Sequence, residues 1–312
     1  MKSFFSQIAR PCVMVSQSWG EIARRSGGTL EALRRTLELE YYEGFQILHV
    51  NSASERRALG RIVSEHSLEI NYCMGRYIYD NKLNISSLDD HIRKAGVQAL
   101  LARIDDAREV HAQSYQVLSG PSPKTPSTRG EAYKCLQESL VTLCEAAQTP
   151  PEVDVLIEPL DITAHKCATL GTTQEAVALA QSLAALGYRI WLILDSAHMM
   201  LNGEEPVPSA EECVEWVAEY HLCNCVTDKT HPLYGDHHMR FGQPGFLDEK
   251  SAGRILAGLY RKGFLGSNHR LRVFPEMNPS PENDPLETLI YYRDFLEVSW
   301  KHAMNTLTEK GS

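Results

Sequence analysis

Between Tyr220 and Gly245 the chain reads YHLCNCVTDKTHPLYGDHHMRFGQPG, dense in groups that bind cations or move protons. His221 closes a short apolar run, Asp236 and His238 form an Asp-x-His step, and His231, His237 and His238 fall within eight residues. Three other apolar runs carry a matching group: VLIEP ends near Glu158, ILDSAH holds Asp195 and His198, and VFPEMN holds Glu276. Three carboxylates and one imidazole, from four separate runs, make an oxygen-rich ligand set for a divalent metal. Such a set suits Mn2+, Mg2+, Co2+ or Fe2+ at least as well as Zn2+, which more often takes additional nitrogen or sulfur ligands. Mn2+ is the first choice.

Groups so far apart in the chain meet only if a scaffold gathers the ends of their runs. Short β-rich runs alternate with longer helical patterns, the signature of βα units and a parallel sheet. The expected strands are Cys12–Val15, Phe45–Val50, Leu68–Met74, Tyr115–Leu118, Val153–Glu158, Ile190–Asp195, Tyr220–Val226 and Arg272–Glu276. Helical patterns cover Leu30–Glu40, Glu55–Glu65, Leu88–His111, Gly130–Ala147, Thr173–Leu186, Ala210–Ala218 and Ser251–Lys262, with a last helix from Leu286 onward. Ser209 and Glu212 have capping-box spacing ahead of AEECVEWVAEY, and Gly187 reads as a C-cap. This alternation predicts a (β/α)8 barrel occupying residues 1–312 as one domain. An open doubly wound sheet is the runner-up, but no Gly-x-Gly-x-x-Gly follows any strand. Gly75–Asp89, Gly120–Gly130 and Asn202–Ser209 read as loops over the active face. In such a barrel Glu158, Asp195, His221 and Glu276 sit at the mouth, on the fifth to eighth strands.

Composition narrows the partners. At 312 residues, with 43% hydrophobic and 23% charged residues, the chain is that of a soluble globular protein able to bury a large core. A formal charge of −9 argues against a nucleic-acid partner, whose phosphates are normally met by Lys and Arg. MKSFFSQIARPCVMV lacks the sustained apolar core of a secretory signal, and no run approaches the ~20 apolar residues of a membrane span. The eight cysteines are scattered, apart from Cys223-x-Cys225, as expected for reduced thiols in the cytoplasm.

The order Glu158, Asp195-x-x-His198, His221, Asp236-x-His238, Glu276 resembles the xylose-isomerase-like TIM barrel superfamily. That group includes the sugar phosphate isomerase/epimerase family, ketose 3-epimerases, inosose isomerases and dehydratases, and an apurinic endonuclease. Motifs carry the resemblance from Val153 to Asn278, and only strand–helix rhythm extends it through the first half. It implies that Glu158, Asp195, His221 and Glu276 hold the main metal. It also implies that His198, Asp236 and His238 hold a further zinc, as in the endonuclease, or that His198 contacts substrate, as in sugar enzymes. Two departures weaken the ketose 3-epimerase match: Ala164 stands where a second Glu is usual, and Thr227 where an Arg is usual. The endonuclease match lacks histidines at the ends of the second and third strands. There His49 precedes the strand end, and Asn71, Tyr72 and Cys73 fill the other.

Such a site supports proton transfer next to a carbonyl, the ion stabilising the enediolate while two carboxylates take and return the proton. Glu158 and Glu276 are the candidate acid/base pair, with His198 hydrogen-bonding the substrate oxygen. His165, Lys166, Arg240, Trp19 and Tyr72 are candidate substrate contacts, and Cys223 and Cys225 share His221's parity and line the barrel. The expected activity is isomerisation or epimerisation of a small sugar or polyol carbonyl compound. The alternatives are a dehydratase or lyase, including a C-glycoside-cleaving type, an endonuclease-like phosphodiesterase, and a non-catalytic sugar-binding barrel. The apolar C-terminal helix LETLIYYRDFLEVSW could pack on the barrel or on a second subunit of a homo-oligomer.

Overall fold

Eight parallel strands close into a barrel in the computed structural model, which describes residues 4–267, 269–279 and 283–309. In chain order the strands are β1 (Arg10–Met14), β2 (Gly44–Leu48), β3 (Glu69–Cys73), β4 (Ser114–Val117), β5 (Asp154–Ile157), β6 (Ile190–Asp195), β7 (Val217–Val226), β8 (Gly235–Met239) and β9 (Arg272–Glu276). All but β8 belong to the barrel. Strands β1 to β7 pair in sequence, β7 pairs with β9, and β9 returns to β1 through Arg10↔Arg272 and Pro11↔Val273. This is a (β/α)8 TIM barrel.

The strands form where short apolar, β-branched runs can be buried on both faces, as a parallel sheet under helices requires. Ile190–Asp195 is nearly all buried, and Leu156, Ile157, Leu192 and Ile193 are fully so. Each large apolar side chain moved from water to this core contributes about 1.5–3 kcal/mol. Helices cover the outside with their apolar stripes; Glu249–Arg261 packs along Pro285–Glu309, and Gly253 and Gly258 let neighbouring chain approach closely. Thr173–Ala185 starts on a true capping box between Thr172 and Glu175. Gly187, at φ +88°, follows that helix in the left-handed turn expected of it.

Four sequence expectations need correction. The Leu88–His111 pattern forms two helices, Asp90–Leu101 and Ile104–Glu109, because the backbone leaves the helical path at Ala102 and Arg103 without any Gly or Pro to announce it. The expected helix Ala210–Ala218 is instead Pro206–Glu211, with Pro206 in its first turn; Ser209 lies inside it, and β7 already begins at Val217. Gly75–Asp89 is not wholly loop, since Gly75–Asp80 is helical. Finally, the expected strands leave out GDHHM, which forms β8, antiparallel to the extended tail of β7 through Asn224↔Met239 and Val226↔Gly235.

That hairpin is braced from within. Asn224 donates Nδ2 to the carbonyls of Arg240 and Gly242, both at 2.8 Å, and accepts from Leu247 N at 2.8 Å. A side chain at Gly245 would meet Asn224 Oδ1 at 2.2 Å, so glycine is required there. The brace fixes Asp236 and His238 over the barrel mouth.

Candidate metal centre and active site

At the open end of the barrel Glu158 follows the last residue of β5, and Asp195 and Glu276 end β6 and β9. His221 lies midway along β7 rather than at its end, because the strand runs on into the hairpin. Register still brings it level with the others: His221 pairs with Asp195, and Cys223 with Glu276. One donor atom from each of Glu158, Asp195, His221 and Glu276 lies within 4.8 Å of the rest, and all four residues are buried. His221 Nδ1 is 3.5 Å from Glu158 Oε1 and 3.1 Å from Glu276 Oε2, neither with hydrogen-bond alignment.

Each of these groups has an outer atom held by the protein. Asp195 Oδ1 caps the helix Ser196–Leu201 by accepting from His198 N at 2.9 Å. Glu158 Oε2 accepts from Gln116 Nε2 at 3.0 Å, and Glu276 Oε1 from Gln17 Nε2 at 2.8 Å. His221 Nε2 faces Glu219 Oε2 at 3.4 Å, and Glu219 is fixed by Asn71 Nδ2 at 2.9 Å and by Arg272 at 3.2 Å. The inner atoms Asp195 Oδ2, His221 Nδ1 and Glu276 Oε2 are buried without any hydrogen-bond partner. Orphaned buried polar atoms are costly, and three that converge on one point fit a cation at that point. Three oxygens and one nitrogen make a donor set for a hard or borderline divalent ion.

Charge repulsion leaves its mark on the same groups. Burial, resisted by His198 and helped by Glu276 and Glu158, pushes Asp195 up to about 7. Burial also lifts Glu276, yet His238 and His221 outweigh it and hold that carboxyl at about 2. Burial would strip His221 of its proton, but Glu158, Glu219 and Glu276 hold the imidazole well above its ordinary value. An ion held at His221 Nδ1 would have to displace that proton.

A second cluster adjoins this one. Asp236 Oδ1 is 3.2 Å from His238 Nε2, while Asp236 Oδ2 is 3.0 Å from Lys166 Nζ and 3.8 Å from His198 Nε2. Among the described residues the metal-type groups that converge are the set of four and a second of Cys223, His238 and Glu276. The expected second-metal set of His198, Asp236 and His238 is not among them. The ammonium of Lys166 already supplies a positive charge beside Asp236 Oδ2. Burial pushes the Cys223 thiol well up, so its sulfur is a weak donor. His198 Nδ1 lies 3.3 Å from Asp161 N and 3.4 Å from Asp161 Oδ2. No single tautomer serves both. Asp161 N–H is the aligned donor to Nδ1, which leaves Nε2 toward the mouth; against the lowering effect of burial, Asp161 and Asp236 raise His198 to about 10.

A cavity of ≈ 670 Å³ opens above the four residues, and Gln17, Trp19, Gln46, Gln116, Lys166 and His198 help line it. Trp19 belongs to that wall, although its Nε1 donates to Thr36 Oγ1 at 3.1 Å and its ring is 2% exposed. Other expected substrate contacts lie elsewhere. Tyr72 alternates with the inward-facing Asn71 and Cys73, so it points out of the barrel, fully buried, with its hydroxyl accepting from Val50 N at 2.9 Å. Arg240 stacks over Tyr291 with its guanidinium carbon 5.0 Å from the ring centroid, and His165 packs on His237 and meets the Asp236 carbonyl. His49 stands after the end of β2, paired with Asp106 at 3.3 Å among the outer helices. Gln17, Gln46, Gln116, Asp161 and Glu219 were not singled out from the sequence. Polar residues inside otherwise apolar strands were a usable signal for Gln46, Gln116 and Glu219; the short helix Val15–Ser18 gave none for Gln17.

Among the described residues no helix is long and apolar enough to cross a membrane. No curated protein matches the chain by sequence. Its fold is similar to that of 3-keto-D-glucoside 4-epimerase from E. coli, at 17% identity over 87% of this chain and 94% of that one, with a TM-score of 0.63. It is similar as well to an L-ribulose 3-epimerase, at 16% identity over 96% and 93% of the two chains, TM-score 0.67. A third solved structure, the IOLI protein with a binding zinc atom, shares 14% identity over 96% of each chain, TM-score 0.63. A family model matches residues 34–270, and the chain belongs to the xylose isomerase-like TIM barrel family.

Proposed function

We propose that the chain is a divalent-metal-dependent isomerase or epimerase of a small polyhydroxy carbonyl compound, with Glu158, Asp195, His221 and Glu276 as the metal ligands. The observation that carries this is the convergence of three partnerless buried atoms, Asp195 Oδ2, His221 Nδ1 and Glu276 Oε2. Similarity in fold to solved sugar epimerases supports the reaction class. A divalent ion held there would act as a Lewis acid on the carbonyl and neighbouring hydroxyl of a bound substrate, with Mn2+ the first candidate.

The chain's own residues divide the remaining work. Glu158 and Glu276 approach the mouth from β5 and β9, so one is placed to take a proton from the carbon beside the carbonyl and the other to return it. Gln116 holds the first carboxylate and Gln17 the second, each through a single oxygen, which leaves the other oxygen for the reaction. His198, charged and anchored on Asp161, presents Nε2–H to a developing substrate oxyanion. Lys166 neutralises Asp236, which would otherwise repel that oxyanion.

The test is solvent-proton exchange in D2O with the Mn2+-loaded chain and a panel of keto-sugars. Deuterium on the α-carbon with the skeleton retained, lost on chelation and in Glu158→Gln, is the expected outcome. Full turnover by a Glu158→Gln protein that still binds metal would overturn the acid/base assignment. Release of water or an aglycone would instead assign the dehydratase or lyase reaction.

A further inference from the structure

The main cavity does not end at the polar residues. Beside it lies a second chamber of ≈ 280 Å³, whose apolar wall is Ile78, Leu83, Leu118, Pro121, Leu160 and Ala168. Tyr79, Leu118, Leu160 and Lys166 line both spaces, so the two adjoin. The geometry points to this chamber as a subsite for an apolar, aromatic or alkyl, substituent carried by the same substrate molecule, making that substrate a glycoside-type compound rather than a free sugar. This inference rests on the reading that the polar cavity takes a polyhydroxy carbonyl group.

The wall chemistry excludes more of the sugar as occupant. Backbone carbonyls in this wall are already engaged: Pro121 O accepts from Thr169 Oγ1 at 3.1 Å, and Gly120 O accepts from Thr169 N at 3.1 Å. Lys166 turns its ammonium out of the chamber toward Asp236, at 3.0 Å, and lends its methylene stem to the wall. Lys82, exposed to solvent, and the Tyr79 hydroxyl are the further polar groups of the lining; a hydroxyl placed against the apolar side chains loses water for little return, whereas an apolar ring loses nothing by leaving water.

The chamber is also preformed. Pro121 and Ala168 form a β-bridge, Ser122 N donates to Cys167 O at 2.8 Å, and Ser86 Oγ meets Thr169 Oγ1 at 2.7 Å. Gly120, at φ +86°, packs so closely on Asn84 that an added Cβ would lie 2.5 Å from Asn84 Oδ1. The loops after β3, β4 and β5 are thereby locked around an apolar volume. A ligand that fills it meets no cost of ordering those loops.

The experiment compares two ligands on the full chain with Mn2+ present: a sugar whose ketone is at a ring carbon other than the anomeric one, and the same sugar bearing a phenyl group on its anomeric oxygen, so that the ketone stays free in both. Dissociation constants come from calorimetric titration, and α-proton exchange is followed in the same samples. The phenyl compound should bind about ten- to thirtyfold tighter, the gain from burying one ring. Ala168→Leu, which fills the chamber, and Tyr79→Ser, which opens its exposed wall, should each collapse that ratio to within about threefold. Two independent variants guard against one failing to fold. Equal affinities in the unaltered chain, or a ratio untouched by both variants, would overturn the subsite. A phenyl preference without any α-proton exchange would uphold the subsite and sink the proposed reaction; exchange without the preference would do the reverse.

Discussion

Replacing Glu219 by Gln separates what holds the barrel together from what aims the imidazole proposed as a metal ligand. Glu219 is fully buried, and its carboxylate faces His221 Nε2 at 3.4 Å while meeting Arg272 at 3.2 Å and Asn71 at 2.9 Å. The Arg272 side chain is 11% exposed, and its other polar contact is Ser114 Oγ at 3.1 Å. Breaking a buried ion pair on one side costs about 3–5 kcal/mol. At roughly 2–4 °C per kcal/mol for a large domain, Tm should fall by on the order of 6–20 °C. Loss of the carboxylate that orients a ligating histidine lowers metal affinity about 10- to 100-fold. Thermal circular dichroism reads the first effect, and competition against a chromophoric chelator reads the second. The double variant Glu219→Leu/Arg272→Met should recover much of the stability, because an apolar pair replaces the stranded charge, but none of the metal affinity. Metal affinity within twofold of the unaltered chain in Glu219→Gln would refute the orienting role, whatever happens to Tm.

Two further outcomes follow from the second cluster. Lys166→Met removes the ammonium that lies 3.0 Å from Asp236 Oδ2, so metal stoichiometry by mass spectrometry of the native protein should rise from one ion to two at high metal; a value fixed at one would show that Lys166 does not block a second site. The Asp161–His198 contact should stabilise the metal-free chain over a bounded pH range. Asp161 is lifted by burial but held at about 2 by His198 and the N–H groups of His165 and Lys166, so its contribution is present above its unfolded value of about 3.9 and lost as pH falls through about 2. His198 is raised to about 10, so its contribution is full below about 6.5 and lost as pH rises through about 10. Urea unfolding of Asp161→Asn beside the unaltered chain should therefore differ most near pH 4–6.5, and a gap that widens above pH 8 would contradict the assignment.

The parts of this site visible in the sequence were those where chemistry conflicts with burial. Glu158, Asp195 and Glu276 each close an apolar run, and a carboxylate carried to the rim of a core needs a reason to be there. His221 was visible for the same reason, although its strand continues to Val226 because the hairpin extends it. Side-chain alternation in β3 could have turned Tyr72 away from the cavity, since Asn71 and Cys73 face inward. Pro206, at a helix start, was a readable sign that the next helix begins before Ser209. Other features left no local trace. β8 is made of Gly, Asp, His and Met, and it is a strand only because the tail of β7 offers it hydrogen bonds. The reach of Lys166 to Asp236 and of Asp161 to His198 depends on loops meeting across the barrel mouth, a long-range arrangement that spacing within either segment does not encode.

The most direct test of the metal centre is the divalent-ion content of the full chain after dialysis against limiting Mn2+, measured by plasma mass spectrometry beside Asp195→Ala and His221→Ala. One tightly held equivalent in the unaltered chain, and at least a tenfold weaker hold in each variant, is the expected result. A chain that retains no ion, or variants that hold it as tightly as the unaltered chain, would contradict the convergence of these four side chains on a single cation.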